Sequence, residues 1–534
     1  MYRSRSIVLS IAVALGTSFT AFAAEDSQPV TLPGADQPLP LLKVLRITLD
    51  NAPKLKLQGM AVSASKAQEQ IAKGKFDIST AVVGGYQTIS NTTFAIDELT
   101  PEHAAAFPKS YPNELVNNMD VPYLSAELSK KFRNGIATGL SATIQRQDYR
   151  QTLLRATPTV TENRTTVKFT VKIPLLQGAG SVSGAAKETG ARLEKEASIS
   201  EVQHTLTAVM LESIKAYWDY KRAISYLEKV EESKNRIAGW VDGFGAGNSS
   251  LQAYLENAKG KASDAQQTLE ESRIALAQAM GVPAKQTVNI GLPISEVPMN
   301  WENALNGFDQ EKMGTQWQAL AIENRLDLKA AELRLEGARV QQAQARQDRL
   351  PTLNLDLGAG YSGFQQYDGM DDFFGSANSN ISRIDTAASL TFSYPLGNNV
   401  AEGSYALTNV LYQKSLITRD EAQRVVRLDA GRSVSNVYGR LQKAVQMRKS
   451  FLSYKEAVQQ MQQNNEFLST PSGIATLIET EDKFINSLND FYTAVADVAK
   501  AIAESRFNTG TLILITGEMD GDVDLNRIIS FPAN

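Results

Sequence analysis

The 534-residue chain contains no cysteine and only two histidines, His103 and His204. Disulfides, thiolate metal sites and cysteine nucleophiles are therefore excluded, and histidine-rich metal chemistry nearly so. Acidic and basic residues almost balance, 58 against 54, for a net charge of −4. Nothing in that balance points to nucleic acid. Beyond the N-terminus no stretch offers about 18 uninterrupted apolar residues, the length a spanning helix needs. If the chain crosses a membrane, it does so as strands. A catalytic constellation with discriminating spacing is missing as well. Glu201-x-x-His204 is half of a di-iron helix motif without a second half, so it reads as a solvated helical pair. Asp371-Asp372, in a glycine-rich loop, could hold a cation only weakly, and a flexible loop is the default. No enzyme, cofactor or metal centre is expected.

The N-terminus is patterned for export. Arg3 and Arg5 precede an apolar run from Ile7 to Leu15, and Ala21-Phe22-Ala23 offers a small-x-small cleavage site. The alternative, an N-terminal anchor, is disfavoured by the shortness of the run and the lack of a stop-transfer sequence. Residues 1–23 are therefore expected to be a signal peptide and 24–39 a linker.

Self-comparison reveals an internal repeat. Asp50-Asn51-Ala52-Pro53-Lys54-Leu55-Lys56 resembles Glu323-Asn324-Arg325-Leu326-Asp327-Leu328-Lys329, an offset of 273. Each opens a helical tract that gives way to a strand, ending in Gly84-Gly85-Tyr86 and in Gly358-Ala359-Gly360-Tyr361. Pro174-Leu175 matches Pro395-Leu396 and Tyr217 matches Tyr438, both at an offset of 221. Gly281 and Gly510 close the two halves. The expected organisation is a first repeat at 40–300, a second at 301–515 and a tail at 516–534. Tyr86 to Pro174 is 88 residues, whereas Tyr361 to Pro395 is 34. The surplus holds two alternating segments, Tyr123 to Gln147, around Arg133-Asn134-Gly135. Asn-Gly between alternating runs signals a hairpin. Residues 94–120 and 362–385 read as loops.

In the strands, Val167, Phe169, Val171 and Ile173 share one face, and Thr166, Lys168, Thr170 and Lys172 the other. Leu353, Leu355 and Leu357 oppose Asn354 and Asp356, while Leu390, Phe392 and Tyr394 oppose Thr391 and Ser393. Leu124, Ala126 and Leu128 oppose Ser125, Glu127 and Ser129. Such segments suit a transmembrane β-barrel, apolar outward and polar inward. A soluble antiparallel sheet with one wet face shows the same alternation. Four to six strands are too few to close a membrane barrel, because the smallest use about eight. Several chains sharing one barrel would resolve this.

Two helical tracts are very long. Gly178 to Gly243 is 66 residues, roughly 100 Å of helix, and Val400 to Phe467 is 68. Met210, Ile214, Tyr217, Tyr220, Ile224, Leu227 and Val230 step by threes and fours, as do Val434, Tyr438, Leu441 and Val445. These are coiled-coil-like seams, equally compatible with a helical bundle within one chain. Return segments follow at Leu251–Met280 and Ile474–Phe507.

Taken together these motifs resemble the TolC family of outer-membrane efflux and secretion channels. The matching set is the duplicated unit, the Asp-Asn-Ala-Pro opening, Ile173-Pro174-Leu175-Leu176-Gln177-Gly178, Tyr394-Pro395-Leu396-Gly397, and Arg506-Phe507-Asn508-Thr509-Gly510-Thr511-Leu512. It covers roughly residues 40 to 515. The resemblance implies a mixed α and β fold: a homotrimer sharing one outer-membrane β-barrel that continues into a long periplasmic α-helical barrel. Pro174, Gly178, Pro395 and Gly397 become strand-to-helix corners, and Lys168, Lys172 and Asp356 lumen-facing strand candidates. The function implied is a passive exit duct docking on a periplasmic adaptor protein and an inner-membrane pump. Family members constrict the periplasmic mouth with acids near the start of the second return helix. Glu479 matches one such position, and Thr476 stands where an acid is common; a solvated helix glutamate is the plainer reading of Glu479. The turn Gly245-Ala246-Gly247-Asn248-Ser249-Ser250 departs from the adaptor-contacting tip of drug-efflux members. The additional hairpin departs as well: inside the barrel it gives eighteen strands per trimer, outside it the usual twelve. The competing class is a periplasmic adaptor or other coiled-coil assembly protein without a pore.

Overall fold

The computed structural model describes residue 34 and residues 37–94, 114–151, 159–243, 249–297, 301–366, 369–464, 469–512 and 530–532. The expected signal peptide, His103, most of the turn at 245–250 and most of the tail lie outside the described residues.

The chain opens with a two-residue strand, β1 (Pro38–Leu39), and two helices, α1 (Leu41–Asn51) and α2 (Pro53–Lys73). Four long strands follow: β2 (Ile78–Phe94), β3 (Glu114–Lys131), β4 (Ala137–Gln151) and β5 (Thr159–Pro174). A short turn of helix, α3 (Gly180–Gly184), leads into the 57-residue α4 (Ala186–Asp242) and the returning α5 (Ser249–Ala279). The strand β6 (Leu292–Pro293) and helix α6 (Trp301–Asn306) come next. The order then recurs with α7 (Gln310–Asn324), α8 (Leu326–Asp348), β7 (Thr352–Gln366), the six-residue α9 (Met370–Gly375), β8 (Asp385–Ser393), the 65-residue α10 (Asn399–Gln463) and α11 (Pro471–Asn508). Three expectations shift. The loops expected at 94–120 and 362–385 are shorter, since β3 starts at Glu114 and β7 reaches Gln366, and the second contains α9. The first long helical tract starts only at Gly180, after Gly178 and Gly180 take φ of 82° and 79°, and is interrupted at Ala185.

Two compact units divide the described chain, and each cuts across both repeats. One takes the described residues within 67–192 and 337–412, the other those within 34–66, 193–336 and 413–532.

The first unit is built on a six-stranded antiparallel sheet in the order β2-β3-β4-β5-β7-β8. The additional hairpin is β3 and β4, and it lies inside the sheet. Its turn closes through Phe132 N to Ile136 O (2.7 Å) and Gly135 N to Phe132 O (3.0 Å). The turn packs on the strand-to-helix corner: Gly180 N donates to Asn134 O at 3.0 Å, and Arg133 Nε to Glu188 Oε2 at 2.6 Å. Gly135 has φ of 92°, and a Cβ there would collide with the carbonyl oxygen of Gly178. Both strain and collision oppose any side chain. Gly135→Ala is therefore expected to cut the yield of folded protein, most severely at raised temperature. Immunoblots of protease-resistant protein after growth at two temperatures check this; an unchanged yield at both would refute it.

The second unit is a helical bundle. The stripe residues Met210, Ile214, Tyr217 and Tyr220 of α4 are buried with Val434, Leu441 and Val445 of α10 in one core, which Trp317 and Leu276 also enter. The seams read from the sequence thus pack within the chain. Tyr217 ties in the short parallel pair β1–β6: its hydroxyl donates to Leu39 O (3.1 Å) and accepts from Ser295 N (2.9 Å). The ends of α1 and α7 are built alike. Asn51 and Asn324 end α1 and α7, with side-chain amides donating to Ile47 O (3.0 Å) and Leu320 O (3.1 Å). Gly281 and Gly510, at φ of 70° and 71°, pass against those breaks. A Cβ would come within 3.0 Å of Asn51 O in one case and 2.6 Å of the Asn324 carbonyl carbon in the other. Only glycine meets both demands.

Candidate functional site

Cross-strand partners share a face, so register decides whether the alternating strands add up to one surface. Leu128 pairs with Leu140, Leu140 with Phe169, and Phe169 with Ala359. One step along, Val82 pairs with Ala126, Ala126 with Ala142, Ala142 with Val167 and Val167 with Tyr361. On the helix side Ile173 pairs with Leu355 and Leu355 with Leu390. Apolar residues from all six strands therefore share one face in a continuous band, with Val83 and Tyr123 on the other face and Lys130 at the band's end. Much of it is exposed, with Val82 at 73% and Phe392 at 65%. Tyr86 and Tyr361 stand toward the loop end of the band, and Phe132 and Phe392 toward the helix end. A face this apolar and this exposed on an open sheet needs a non-aqueous neighbour.

The opposite face is polar. Lys172 pairs with Asp356 and Asp356 with Ser389, while Glu127 pairs with Ser141 and Ser141 with Lys168. Lys168, Lys172 and Asp356, three separate positions in the sequence, are thus brought together, joined by Glu127, along a shallow depression. Phe169 and Lys168 are chain neighbours with opposite surroundings.

Both corner sequences do what glycine after proline permits. Pro174 ends β5 opposite Asn354, Leu175 N donates to Leu353 O (2.7 Å), and Gly178 turns the chain at positive φ. After β8 comes Pro395, then Gly397 and Asn398 at φ of 93° and 42°. Asn398 Nδ2 donates to Arg349 O (3.1 Å), and Arg349 Nε to Glu402 Oε1 (2.8 Å), fastening α10 to the end of α8.

Within the helical unit, α11 begins with Thr470 accepting from Gly473 N (3.1 Å) and Pro471 in its first turn. Thr476 and Glu479 are both exposed, one turn apart. Thr476 Oγ1 donates to Ser472 O (3.0 Å). Glu479 Oε1 accepts from the Tyr254 hydroxyl of α5 (2.8 Å), a bond that raises the tyrosine's pKa. The residue that sequence reading missed is Glu481, which is wholly buried. Its Oε1 accepts from Ser233 Oγ (2.7 Å) and Arg236 Nε (3.1 Å) of α4; Oε2 is buried without a partner. Asp482 pairs with Lys261 of α5. Three acids in four residues thereby fasten α11 to two other helices. A signal existed: Ile474, Ile478, Glu481, Ile485 and Leu488 step by 4, 3, 4 and 3, so a glutamate occupies a seam position.

The other charged motif does not form a binding site. Glu201 pairs with Arg334. His204 packs against Phe507 with the rings tilted (5.2 Å between them) and Nδ1 3.9 Å from Asp327, and burial lowers its pKa against the pull of Asp327. In α9, Asp372 accepts from Gln365 Nε2 (2.6 Å) and Gly369 N (3.2 Å).

Residues 317–469 match the sequence family described as outer membrane efflux protein. No curated protein is similar enough in sequence to match. Among solved structures the fold is similar to the CmeC outer membrane channel of Campylobacter jejuni, at 12% identity and a TM-score of 0.59, covering 91% of this chain and 90% of that one. It is similar to the open state of the MtrE outer membrane channel of Neisseria gonorrhoeae, at 13% identity and a TM-score of 0.55, covering 88% and 89%. The outer-membrane channel OprN is 13% identical with a TM-score of 0.53, covering 88% and 90%. The resemblance to the outer-membrane efflux channels is thereby shown twice, by sequence within the second half and by fold along nearly the whole chain.

Proposed function

We propose that this chain is an outer-membrane channel, a passive exit duct in which three copies close one β-barrel that continues as a periplasmic helical barrel. The single observation that carries this is the six-stranded sheet with one exposed apolar face and, among the described residues, no strand on the outer edge of β2 or of β8. Six strands cannot close a membrane barrel alone. In an antiparallel sheet of six, the two edge strands run in opposite directions. Copies arranged around an axis therefore continue the antiparallel ladder, β8 of one against β2 of the next, and closure removes both edges. Three copies, the number the family resemblance implies, give eighteen strands, because the hairpin β3–β4 is part of the sheet.

In this reading Lys168, Lys172 and Asp356 face the lumen, and the corners at Pro174–Gly178 and Pro395–Gly397 turn membrane strands into tunnel wall. Each repeat, at 40–300 and 301–515, supplies strands, a long helix and a return helix. Glu479, with Thr476 a turn before it, lies at the periplasmic mouth, where three carboxylates around an axis would favour cations. A periplasmic adaptor and an inner-membrane pump complete the export route. The adaptor reading of the chain itself leaves the apolar sheet face without a use.

The test is single-channel recording of the mature protein in a planar bilayer, beside a Glu479→Ala variant. Discrete steps establish the pore, and larger or less cation-selective steps in the variant place Glu479 at the constriction. Steps indifferent to Glu479 keep the channel and remove the gate. Folded protein that never inserts overturns the channel.

A further inference from the structure

The segment between β7 and β8 does not project from the sheet end as a free loop. Its short helix α9 folds onto the face that carries the apolar band, at the band's end. Ser376, wholly buried, shares a hydrogen bond with Thr165 (2.6 Å), and its carbonyl oxygen occupies the place a side chain at Gly363 would take. Thr165 and Gly363 are cross-strand partners in the same alternation as Val167 and Tyr361. The return path is tied to β7 by Phe364 N to Ser379 O (2.9 Å) and Ser382 N to Ser362 O (2.8 Å). While its backbone is held down, the large apolar side chains point away: Met370 is 70% exposed, Phe374 51%, Ile381 57% and Ile384 74%. Phe373 meets Phe374 edge-on at 5.2 Å.

The position along the strand supplies the meaning. The apolar face begins at Leu353 on β7 and meets this segment at Gly363, ten residues on. At roughly 3.4 Å per residue and a barrel tilt of about 40°, that is a height of about 26 Å. The apolar band of an outer-membrane barrel is about 25 Å tall and bordered by aromatic residues. The segment thus lies where acyl chains give way to headgroups, on the lipid side.

We propose that residues 369–384 form an interfacial anchor that seats Met370, Phe374, Ile381 and Ile384 in the outer boundary of the lipid layer. This rests on the sheet's apolar face being its membrane face. The continuity of the two surfaces singles out lipid as the occupant, rather than another protein.

Because the chain has no cysteine, single spin labels can be placed without background. Phe374→Cys and Met370→Cys report on the anchor, Leu390→Cys on the band and Asn378→Cys on the exposed turn beside α9. The labelled full-length protein is reconstituted in vesicles of phosphatidylethanolamine and phosphatidylglycerol, with retained helix and strand content required of every variant. Power saturation with oxygen and with a water-soluble nickel chelate reads depth. The expected result is oxygen access exceeding nickel access at 374 and 370, less than at 390, with the order reversed at 378. Labels at 374 and 370 as open to nickel as 378, while 390 reads lipid, would overturn the anchor and leave the channel standing. Labels at 374 and 370 closed to both reagents would mean a protein contact and overturn it too. Nickel access at 390 would remove the membrane face, and the anchor with it.

Discussion

Phe169→Arg is expected to abolish assembly in the outer membrane, whereas Lys168→Glu, one residue away, is expected to leave assembly intact and change ion selectivity. Phe169 lies midway along the apolar part of β5, between Thr165 and Ile173, with Leu140 and Ala359 beside it on the same face. An arginine on the lipid face at the bilayer midplane costs about 2–4 kcal/mol. In the proposed barrel of three chains the cost is incurred three times, enough to reduce assembled protein by well over tenfold. Lys168 points the opposite way, and reversing its charge alters only what lines the polar face. Heat-modifiable mobility of outer-membrane fractions measures assembly, and reversal potentials in a salt gradient measure selectivity. Equal loss of assembly in the two variants would mean that the faces are not lipid and lumen.

The second large effect is expected at the clasp on α11. Arg236→Met removes the cationic partner of Glu481 and leaves a buried carboxylate with Ser233 alone. Breaking a buried ion pair from one side costs about 3–5 kcal/mol, and the partial exposure of Arg236 puts this pair at the lower end. The loss should appear locally, as faster amide exchange over residues 474–490 by two to three orders of magnitude, since each 1.4 kcal/mol of opening free energy is about tenfold. The double variant Arg236→Met with Glu481→Leu should recover most of the protection, because a well-packed apolar pair often replaces a buried ion pair without loss. Failure of the double variant to recover would mean that packing, not charge, holds the helix. Thr476 and Glu479 share this helix, so the same release is expected to lengthen channel openings in bilayer recordings.

How far the sequence alone carries can be followed in Phe169, Glu481 and α9. That Phe169 and Lys168 face opposite ways is a period-two property of about ten residues and needs no partner to be read. The corners are equally local, since proline and glycine constrain only their own backbone. The long helices and the return helices were legible for the same reason, whereas the contacts of Gly281 with Asn51 and of Gly510 with Asn324 were not. Local patterning also set the expectation of a hairpin at Asn134-Gly135, though not its place inside the sheet.

Tertiary structure decided whatever depends on residues far apart. Register across six strands turned separate alternations into one apolar band, and a shift of one residue in any pair would have broken it. Glu481 could be seen as an anomaly in a seam, but its arginine lies 245 residues earlier, and only packing brings them together. The segment around α9 reads as an ordinary glycine-rich loop because its contacts, Ser376 with Thr165 across 211 residues, leave no periodic trace. The sequence by itself settled where the main strands and long helices lie and how their residues alternate, because backbone periodicity is a short-range property. Only the folded chain decided which faces join and which charges meet, because those depend on packing that no short window contains.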